Sequence, residues 1–429
     1  MLKLDASSMP FLFKILSVRT ALSIQAHPDK VLAAKLHRES PDHYKDDNHK
    51  PEMAVAITPF EALCSFQPAY SILCNCRATP ELVMVIGEKV VSDLDDAIEH
   101  RTVDDKAVML ALKALFGALM LAPAPLVAQQ LNSLIRRIES TNEILRAPVD
   151  VLAVRLSQPT CAFCMCSQQP HLGVLSHAQQ AKSRVCVPST ARVDPHVQRA
   201  CGGGWGSQGV CLSVSGSARS CHHHSISRTS CAICRQMRLH AQYENDVGVF
   251  CVYLLNYLVL KPGEALFLGA NEPHAYISGD CAEIMATSDN VVRAGLTPKW
   301  KDVDTLVKML TYTDGAPHHV TPTQPDGEQH VWRYSPPVDE FALERVQMRE
   351  GEQATLSSLR GLAILLVVKG SVLVEQIVEQ RGDATPDSSN LQSYLTAGAI
   401  HLLCPNTALR ITVQHDNTLL FRACAREVE

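Results

Sequence analysis

Two-residue alternation is the feature that most limits what this chain can fold into. Between 22 and 27, Ser23, Gln25 and His27 fall on one face and Leu22, Ile24 and Ala26 on the other. Glu52, Ala54 and Ala56 likewise oppose Met53, Val55 and Ile57. Successive side chains of a strand point to opposite faces, so each segment pairs an apolar face with one carrying polar or small groups. A strand lining a wet cavity inside a rolled sheet has that pattern. Residues 11 to 66 as a whole alternate strand-like runs with polar turns.

From 80 to 155 the period changes. Val127, Leu131, Leu134, Ile135 and Ile138 recur at helical spacing, with Arg136 and Arg137 on the far side. Lys106 to Leu121 is also helix-like and follows Asp104-Asp105, acids suited to a helix N-terminus. Strand-like patterning resumes at Val247 and runs through Leu268. The apolar runs Leu362 to Val368, Ser371 to Val378 and Leu419 to Cys424 predict a second β domain. The expected organisation is a mainly β chain with a helical insertion. Residues 1–79 and 241–320 form two parts of one β domain, 80–155 a helical domain, 156–240 an atypical insertion, and 321–429 the second β domain.

The insertion stands apart in composition. Cys, Ser, His, Gly and Arg dominate it, as in Cys201-Gly202-Gly203-Gly204-Trp205 and Cys221-His222-His223-His224-Ser225, and neither helical nor strand period persists. Nine of the 16 cysteines lie between Cys161 and Cys234, which argues for a reduced chain with one unusual segment rather than a disulfide scaffold. The net charge of -5 is mild, and no basic patch with interleaved aromatics occurs, so a nucleic-acid partner is not expected. A membrane span needs roughly eighteen consecutive apolar residues. The best run, Ala107 to Leu121, is shorter and contains Lys113. No signal-peptide core is evident at the start, and a cytoplasmic chain is expected.

Gln25-Ala26-His27 offers two metal donors at i and i+2, which a strand projects to the same side. Glu52 adds a hard oxygen and His274 a second imidazole. Two nitrogens plus oxygens suit zinc, or a neighbouring ion such as manganese or cobalt. A neutral Gln oxygen leaves such an ion more positive than a second carboxylate would, hence a better Lewis acid. Taken alone, a His in a strand is more often packed or surface-exposed than ligating. Alternation by itself cannot bring residues 25, 52 and 274 together.

The surrounding text carries more. Four segments occur in order: Ser23-Ile24-Gln25-Ala26-His27-Pro28-Asp29-Lys30; Asn48-His49-Lys50-Pro51-Glu52-Met53; Lys261-Pro262-Gly263-Glu264-Ala265 leading to Asn271-Glu272-Pro273-His274-Ala275-Tyr276; and Ser288-Asp289-Asn290-Val291-Val292-Arg293-Ala294-Gly295-Leu296-Thr297-Pro298-Lys299. In these the chain resembles the type I phosphomannose isomerases, over 10 to 155 and 241 to 429 and least in the C-terminal part. The resemblance implies a cupin fold: antiparallel strands rolled into a metal-binding barrel, with a helical insertion and a second cupin-like domain. It implies one zinc per chain held by Gln25, His27, Glu52 and His274, and it makes Arg293 the active-site arginine.

The reaction it implies interconverts mannose 6-phosphate and fructose 6-phosphate, which feeds GDP-mannose synthesis. A proton moves between C1 and C2 while charge builds on the neighbouring oxygen, where zinc and Arg293 can stabilise it. Ser23, Lys50 and Lys299 are the candidate substrate contacts. For the general base, a zinc-bound water, His49 and Lys50 all stand. The sugar phosphate is the only partner expected, of a monomer.

Two departures from the family pattern matter. Family members carry an aromatic-Trp-Gly motif and early strands ahead of the point where Pro10-Phe11-Leu12-Phe13-Lys14 arrives here, so an open sheet edge and a thinner active-site wall are expected. Residues 156–240 have no counterpart in the family. Their abrupt composition favours sequence not shaped by folding, such as translated intron. A disordered insertion is a second reading. A zinc ribbon from Cys161, Cys164, Cys231 and Cys234 is a third, though the pairs lie too far apart for the usual ribbon. The rival functions are an inactive truncated or spliced cupin that still binds metal, and a scaffold acting through the Cys/His segment.

Overall fold

The computed structural model describes residues 9–101, 105–146, 232–377 and 392–426. Its first β unit joins two stretches far apart in sequence. The early stretch supplies β1 (Phe11–Val18), β2 (Ile24–Ala26), β3 (Glu52–Ala56) and β4 (Phe60–Phe66). The later one supplies β5 (Leu255–Leu260), β6 (Ala265–Leu268), β7 (His274–Ala286), β8 (Val292–Gly295) and β9 (His319–Val320). Among the described residues these nine strands form one curled sheet, paired antiparallel throughout.

The curl is made by β7, which is long enough to serve two flanks. From His274 to Ser278 it pairs with β4, and β2 meets it at His274. From Gly279 to Ala286 it pairs with β1, and β3 lies on its other side. The change of partners falls at Gly279, whose φ is +106°. A Cβ there would collide with the Pro59 carbonyl oxygen and lie 2.9 Å from Phe60 Cα, so only glycine lets the strand turn here. Among the described residues β1 is an edge strand, with Leu12 and Ile15 exposed along it.

The alternation in β3 is real, but both of its faces are dry. Met53 and Val55 pack against Phe341, Leu343 and Phe421 of the second unit, while Ala54 and Ala56 pack inside with Phe60, Tyr276 and Leu266. Along β3 the inner wall is therefore apolar, and only Glu52 carries a charge into it. The expected run of strands and turns up to 66 is also interrupted by a helix, α1 (Lys30–Glu39). Asp29 caps it, its Oδ1 accepting from the Leu32 amide at 2.8 Å.

The helical layer begins at residue 69, earlier than the expected 80: α2 (Ala69–Ala78), α3 (Pro80–Ile86), α4 (Glu88–Glu99), α5 (Lys106–Met120) and α6 (Ala124–Arg146). Val127, Leu131, Leu134 and Ile138 are buried as their spacing predicts and Arg136 is exposed, whereas Ile135 is half-buried and Arg137, expected on the far side, is half-buried against Glu81 on α3. No single described helix is long and apolar enough to cross a membrane. Together α5 and α6 reach that length and apolarity, but a 93° bend separates them.

The expected insertion boundary at 240 needs correcting. Residues 232–242 form α7 (Ala232–Gln242), which belongs to the folded body. Leu239 is buried in the helical core, the Arg238 guanidinium pairs with Glu61 on β4, and Arg235 lies 4.0 Å over the Tyr257 ring. Buried polar groups such as Gln236, which accepts from the Tyr253 hydroxyl, hid this helix from hydropathy patterning. A 3-10 turn (Val247–Tyr253) leads into β5, and α8 (Val303–Met309) follows β8. Residues 156–231, with the Cys161/Cys164 pair and the His222–His224 run, lie outside the described residues, as do the side chains of Cys231 and Cys234. Among the described residues no disulfide forms.

The second unit is a sandwich of two antiparallel sheets. One sheet contains β10 (Val331–Tyr334), β11 (Ala342–Met348), β13 (Ala363–Lys369), β16 (Ile400–Leu403) and β18 (Thr418–Cys424). The other contains β12 (Gln353–Leu356), β14 (Ser371–Ile377), β15 (Gln392–Thr396) and β17 (Ala408–Val413). Inward side chains such as Val346, Leu365, Val367, Val372, Ile411 and Leu420 fill the space between them. The whole is a mainly β, cupin-like architecture with a helical layer, as expected.

Candidate metal centre

Pro28 ends β2 just after His27, Pro51 leads into β3 at Glu52, and Pro273 precedes β7 at His274. Glu52 and His274 therefore open their strands and His27 lies just past the end of β2, where the backbone leaves the ladder and a side chain can turn inward. Asn271 holds the approach to His274. It adopts a left-handed φ of +62°, which Asn tolerates well. Its N–H donates to the His27 carbonyl at 2.8 Å, and its Nδ2 to Asp29 Oδ2 at 3.0 Å.

Register does the rest. Gln25 on β2 is paired with His274 on one side and Arg293 on β8 on the other. Residues directly opposite in a sheet share a face, so these three project together. Candidate ligand atoms of His27, Glu52 and His274 all lie within 4.8 Å of one another, and the three residues are 0%, 2% and 1% exposed.

The tautomers of both rings follow from their partners. His27 Nδ1 lies 2.7 Å from the Asn290 carbonyl oxygen, and His274 Nδ1 lies 3.1 Å from that of Glu272. A carbonyl only accepts, so each Nδ1 carries the proton and each neutral ring presents a bare lone pair at Nε2. His27 Nε2 points at Glu52 Oε1 at 3.2 Å, and His274 Nε2 lies 3.6 Å from Oε2. Burial lowers the basicity of His27. For Glu52 burial works in the opposite direction, yet its carboxyl is held well below its usual range, and the Lys50 ammonium 3.3 Å away keeps it ionised. The cluster thus has acceptors and too few protons. Among the described residues, His27 Nε2 and Glu52 Oε2 have no hydrogen-bond partner. Two imidazole nitrogens and a carboxylate are a donor set that fits zinc or a similar divalent ion.

Gln25 is close enough to complete the set. Its Nε2 lies 3.4 Å from His274 Nε2, and Ser23 Oγ donates to its Oε1 at 3.0 Å. A half-turn of the amide puts the oxygen toward the cluster while the Ser23 hydroxyl accepts instead of donating. Lys50 Nζ stands 3.3 Å from Glu52 Oε1. Arg293 is partly buried, burial lowers its proton affinity, and it makes no ion pair among the described residues. Lys299 is exposed on the loop after β8, where its ammonium meets no acid among the described residues.

Some contributors were not legible beforehand. Asn290 matters through its backbone carbonyl, while its side-chain Nδ2 donates to the Asp46 and Asn48 carbonyls. Glu283, buried on β7 opposite Lys14, has its carboxyl raised to about 7 by burial and by the Glu52 charge. Glu340 reaches over from the second unit to His49. The one advance signal was that Asn290 falls inside the segment from Ser288 to Lys299.

The profile of the family "Phosphomannose isomerase type I, catalytic domain" matches residues 2–69. The chain is 35% identical over 420 residues to mannose-6-phosphate isomerase of Macaca fascicularis, covering 97% of this chain and 78% of that one. Against the enzyme of Homo sapiens it is 34% identical over 420 residues, with the same coverage. A solved structure of mannose 6-phosphate isomerase from Salmonella typhimurium, bound to substrate and zinc, superposes with a TM-score of 0.62. It shares 21% identity and is covered to 80% by 98% of this chain, a likeness that speaks to the fold. Identity above one third, sustained from end to end, exceeds what a common fold alone requires, and the chain belongs to the mannose-6-phosphate isomerase family.

Proposed function

We propose that this protein interconverts mannose 6-phosphate and fructose 6-phosphate at a site that holds one zinc ion through Gln25, His27, Glu52 and His274. The observation that carries this reading is the pair of Nε2 lone pairs aimed at a buried, ionised Glu52 with no proton between them. A bound divalent cation satisfies both imidazole nitrogens and the carboxylate at once. When bound, the ion supplies Lewis acidity toward the sugar oxygens while a proton moves between C1 and C2.

The chain's own groups divide the remaining work. Arg293, paired in register with Gln25, donates hydrogen bonds to the sugar oxygen that gains charge. It does not act as a base, because guanidinium keeps its proton. Lys50 holds a proton at Nζ beside Glu52, within reach of a bound sugar, and His49 is the other proton carrier on the same segment. Ser23 and Lys299 are proposed as contacts to the substrate, Lys299 toward the phosphate. The reading extends to a single chain working in the cytosol without nucleic-acid or membrane partners, in keeping with a net charge of -5.

The test is a coupled assay for fructose 6-phosphate formed from mannose 6-phosphate by the purified full chain, with metal content read by mass spectrometry. Turnover with one zinc per chain is the expected result. Bound zinc without turnover would establish the rival reading of an inactive metal-binding cupin. Neither zinc nor turnover would sink both.

A further inference from the structure

Besides its apolar packing on β3, the second unit places one carboxylate, Glu340, against segments that carry the metal ligands. Glu340 lies on the connector between β10 and β11, which is anchored by its neighbours: Phe341 is buried and, with Val338, packs against Met53 and Val55 on the back of β3. From there Glu340 Oε1 accepts from His49 Nε2 at 2.6 Å and meets Lys30 Nζ at 3.2 Å. Lys30 follows His27 by three residues and His49 precedes Glu52 by three. Three residues of extended chain span at most about 10 Å, so both contacts lie close to the ligands along the chain. One oxygen thus ties two ligand-bearing segments to each other and to the second unit.

The chemistry of the contact is specific. Burial works to raise the Glu340 carboxyl, but His49 and Lys30 outweigh it, so the group is an ionised acceptor. His49 and Glu340 are 16% and 18% exposed, less open to water and salt than a surface pair. Because a carboxylate accepts, the His49 proton is held at Nε2, and Nδ1 is the bare nitrogen of the neutral ring. A charged acceptor behind an imidazole also stabilises the imidazolium that forms when Nδ1 takes up a proton.

We propose that Glu340 is a positioning residue of the isomerase site, fixing His49 with Nδ1 as its proton-accepting atom, so that the second unit is a working part of the active site. The inference rests on the isomerase reading above. In the step it supports, His49 Nδ1 takes the C2 proton of mannose 6-phosphate. The C2–H electron pair becomes the C1–C2 double bond, and the carbonyl pair moves to O1. The O2 proton then passes to O1 as C2 becomes the carbonyl carbon, and His49 returns its proton to C1.

The experiment compares the full zinc-loaded chain with Glu340→Gln, Glu340→Asp, His49→Ala and the double variant Glu340→Gln/His49→Ala, reading kcat, KM and bound zinc. In Glu340→Gln, zinc and KM stay near wild type and kcat falls by about tenfold to a hundredfold, a fraction of what general acid–base catalysis contributes. Glu340→Asp restores part of that loss. In the His49→Ala background, Glu340→Gln causes no further loss, because the residue acts through the histidine. If Glu340→Gln does not fold, Glu340→Asp carries the same test, with a smaller loss that again vanishes without His49. An unchanged kcat, an equal loss with and without His49, or a loss of zinc in the Glu340 variants would each overturn the proposal. Wild-type chain without isomerase activity would instead overturn the isomerase reading.

Discussion

His27 Nε2 stands 3.2 Å from Glu52 Oε1 with no proton to share, because the ring's proton sits on Nδ1 against the Asn290 carbonyl. Both atoms are acceptors, and both residues are buried. Such a contact is unfavourable in an empty site and favourable once a cation lies between the partners. Binding of an ion at this cluster would therefore couple to folding.

Removing the ion should lower thermal stability. At a free zinc concentration a thousandfold above the dissociation constant, the bound form gains about 4 kcal/mol over the stripped one. Melting curves with and without a chelator should separate by several degrees, and His274→Ala should abolish the separation. Identical curves for wild type would mean that no ion is held.

Ligand and rate roles should also separate. His274→Ala or Gln25→Ala should release metal and abolish isomerisation. Arg293→Ala should keep metal and lose rate by about a hundredfold to a thousandfold, as expected for removing one preorganised donor. Metal content and initial rates on the same preparations decide this. Activity retained without His274 would overturn the ligand assignment.

Acid should destabilise the stripped chain in a defined direction. Burial puts the folded-state pKa of His27 below its ordinary value of 6.5. The unfolded chain therefore binds that proton more readily, and the contribution is complete above about pH 6.5 and lost as the pH falls below it. Glu52 is depressed as well, so its contribution lies above its ordinary 4.5 and is lost in still more acidic solution. The melting temperature of stripped chain should fall from pH 7 to pH 5, roughly the window these linkages set. His27→Ala should flatten that slope.

In the second unit, three strands carry one charge row. Glu344 is paired in register with Arg333 on β10 and Arg422 on β18, with contacts of 2.7 Å and 2.6 Å. Glu344 and Arg422 are fully buried. Glu344→Ala leaves the Arg422 charge buried without its acid and should cost about 3–5 kcal/mol. Urea titration measures it, and a loss below about 1 kcal/mol, the scale of a surface pair, would contradict the burial argument.

Gly279→Ala should destabilise the first unit by about 3 kcal/mol or more, since it combines a left-handed backbone with a collision against Pro59 and Phe60. Because the bend lets β7 serve both flanks of the sheet, bound zinc should fall as well. A variant with wild-type stability and metal content would show that β7 can curl without it.

Much of the architecture could be read directly. The spacing of Val127, Leu131, Leu134 and Ile138 marks a helix face because 3.6-residue periodicity is local, and the apolar runs at 362–368 and 419–424 fall on strands because a short buried run is local as well. The donor types at Gln25, His27, Glu52 and His274 were visible as well, since side-chain chemistry is written in residue identity. Helix α1 escaped because its start depends on one capping contact from Asp29, and α7 because polar groups on it are buried against partners distant in sequence. Tertiary structure alone decided that residues 25, 27, 52 and 274 meet, through pairing registers that no local period encodes. It also decided which nitrogen of each ring is bare. That depends on the Asn290 and Glu272 carbonyls, and every residue has a carbonyl, so identity cannot mark the one that matters.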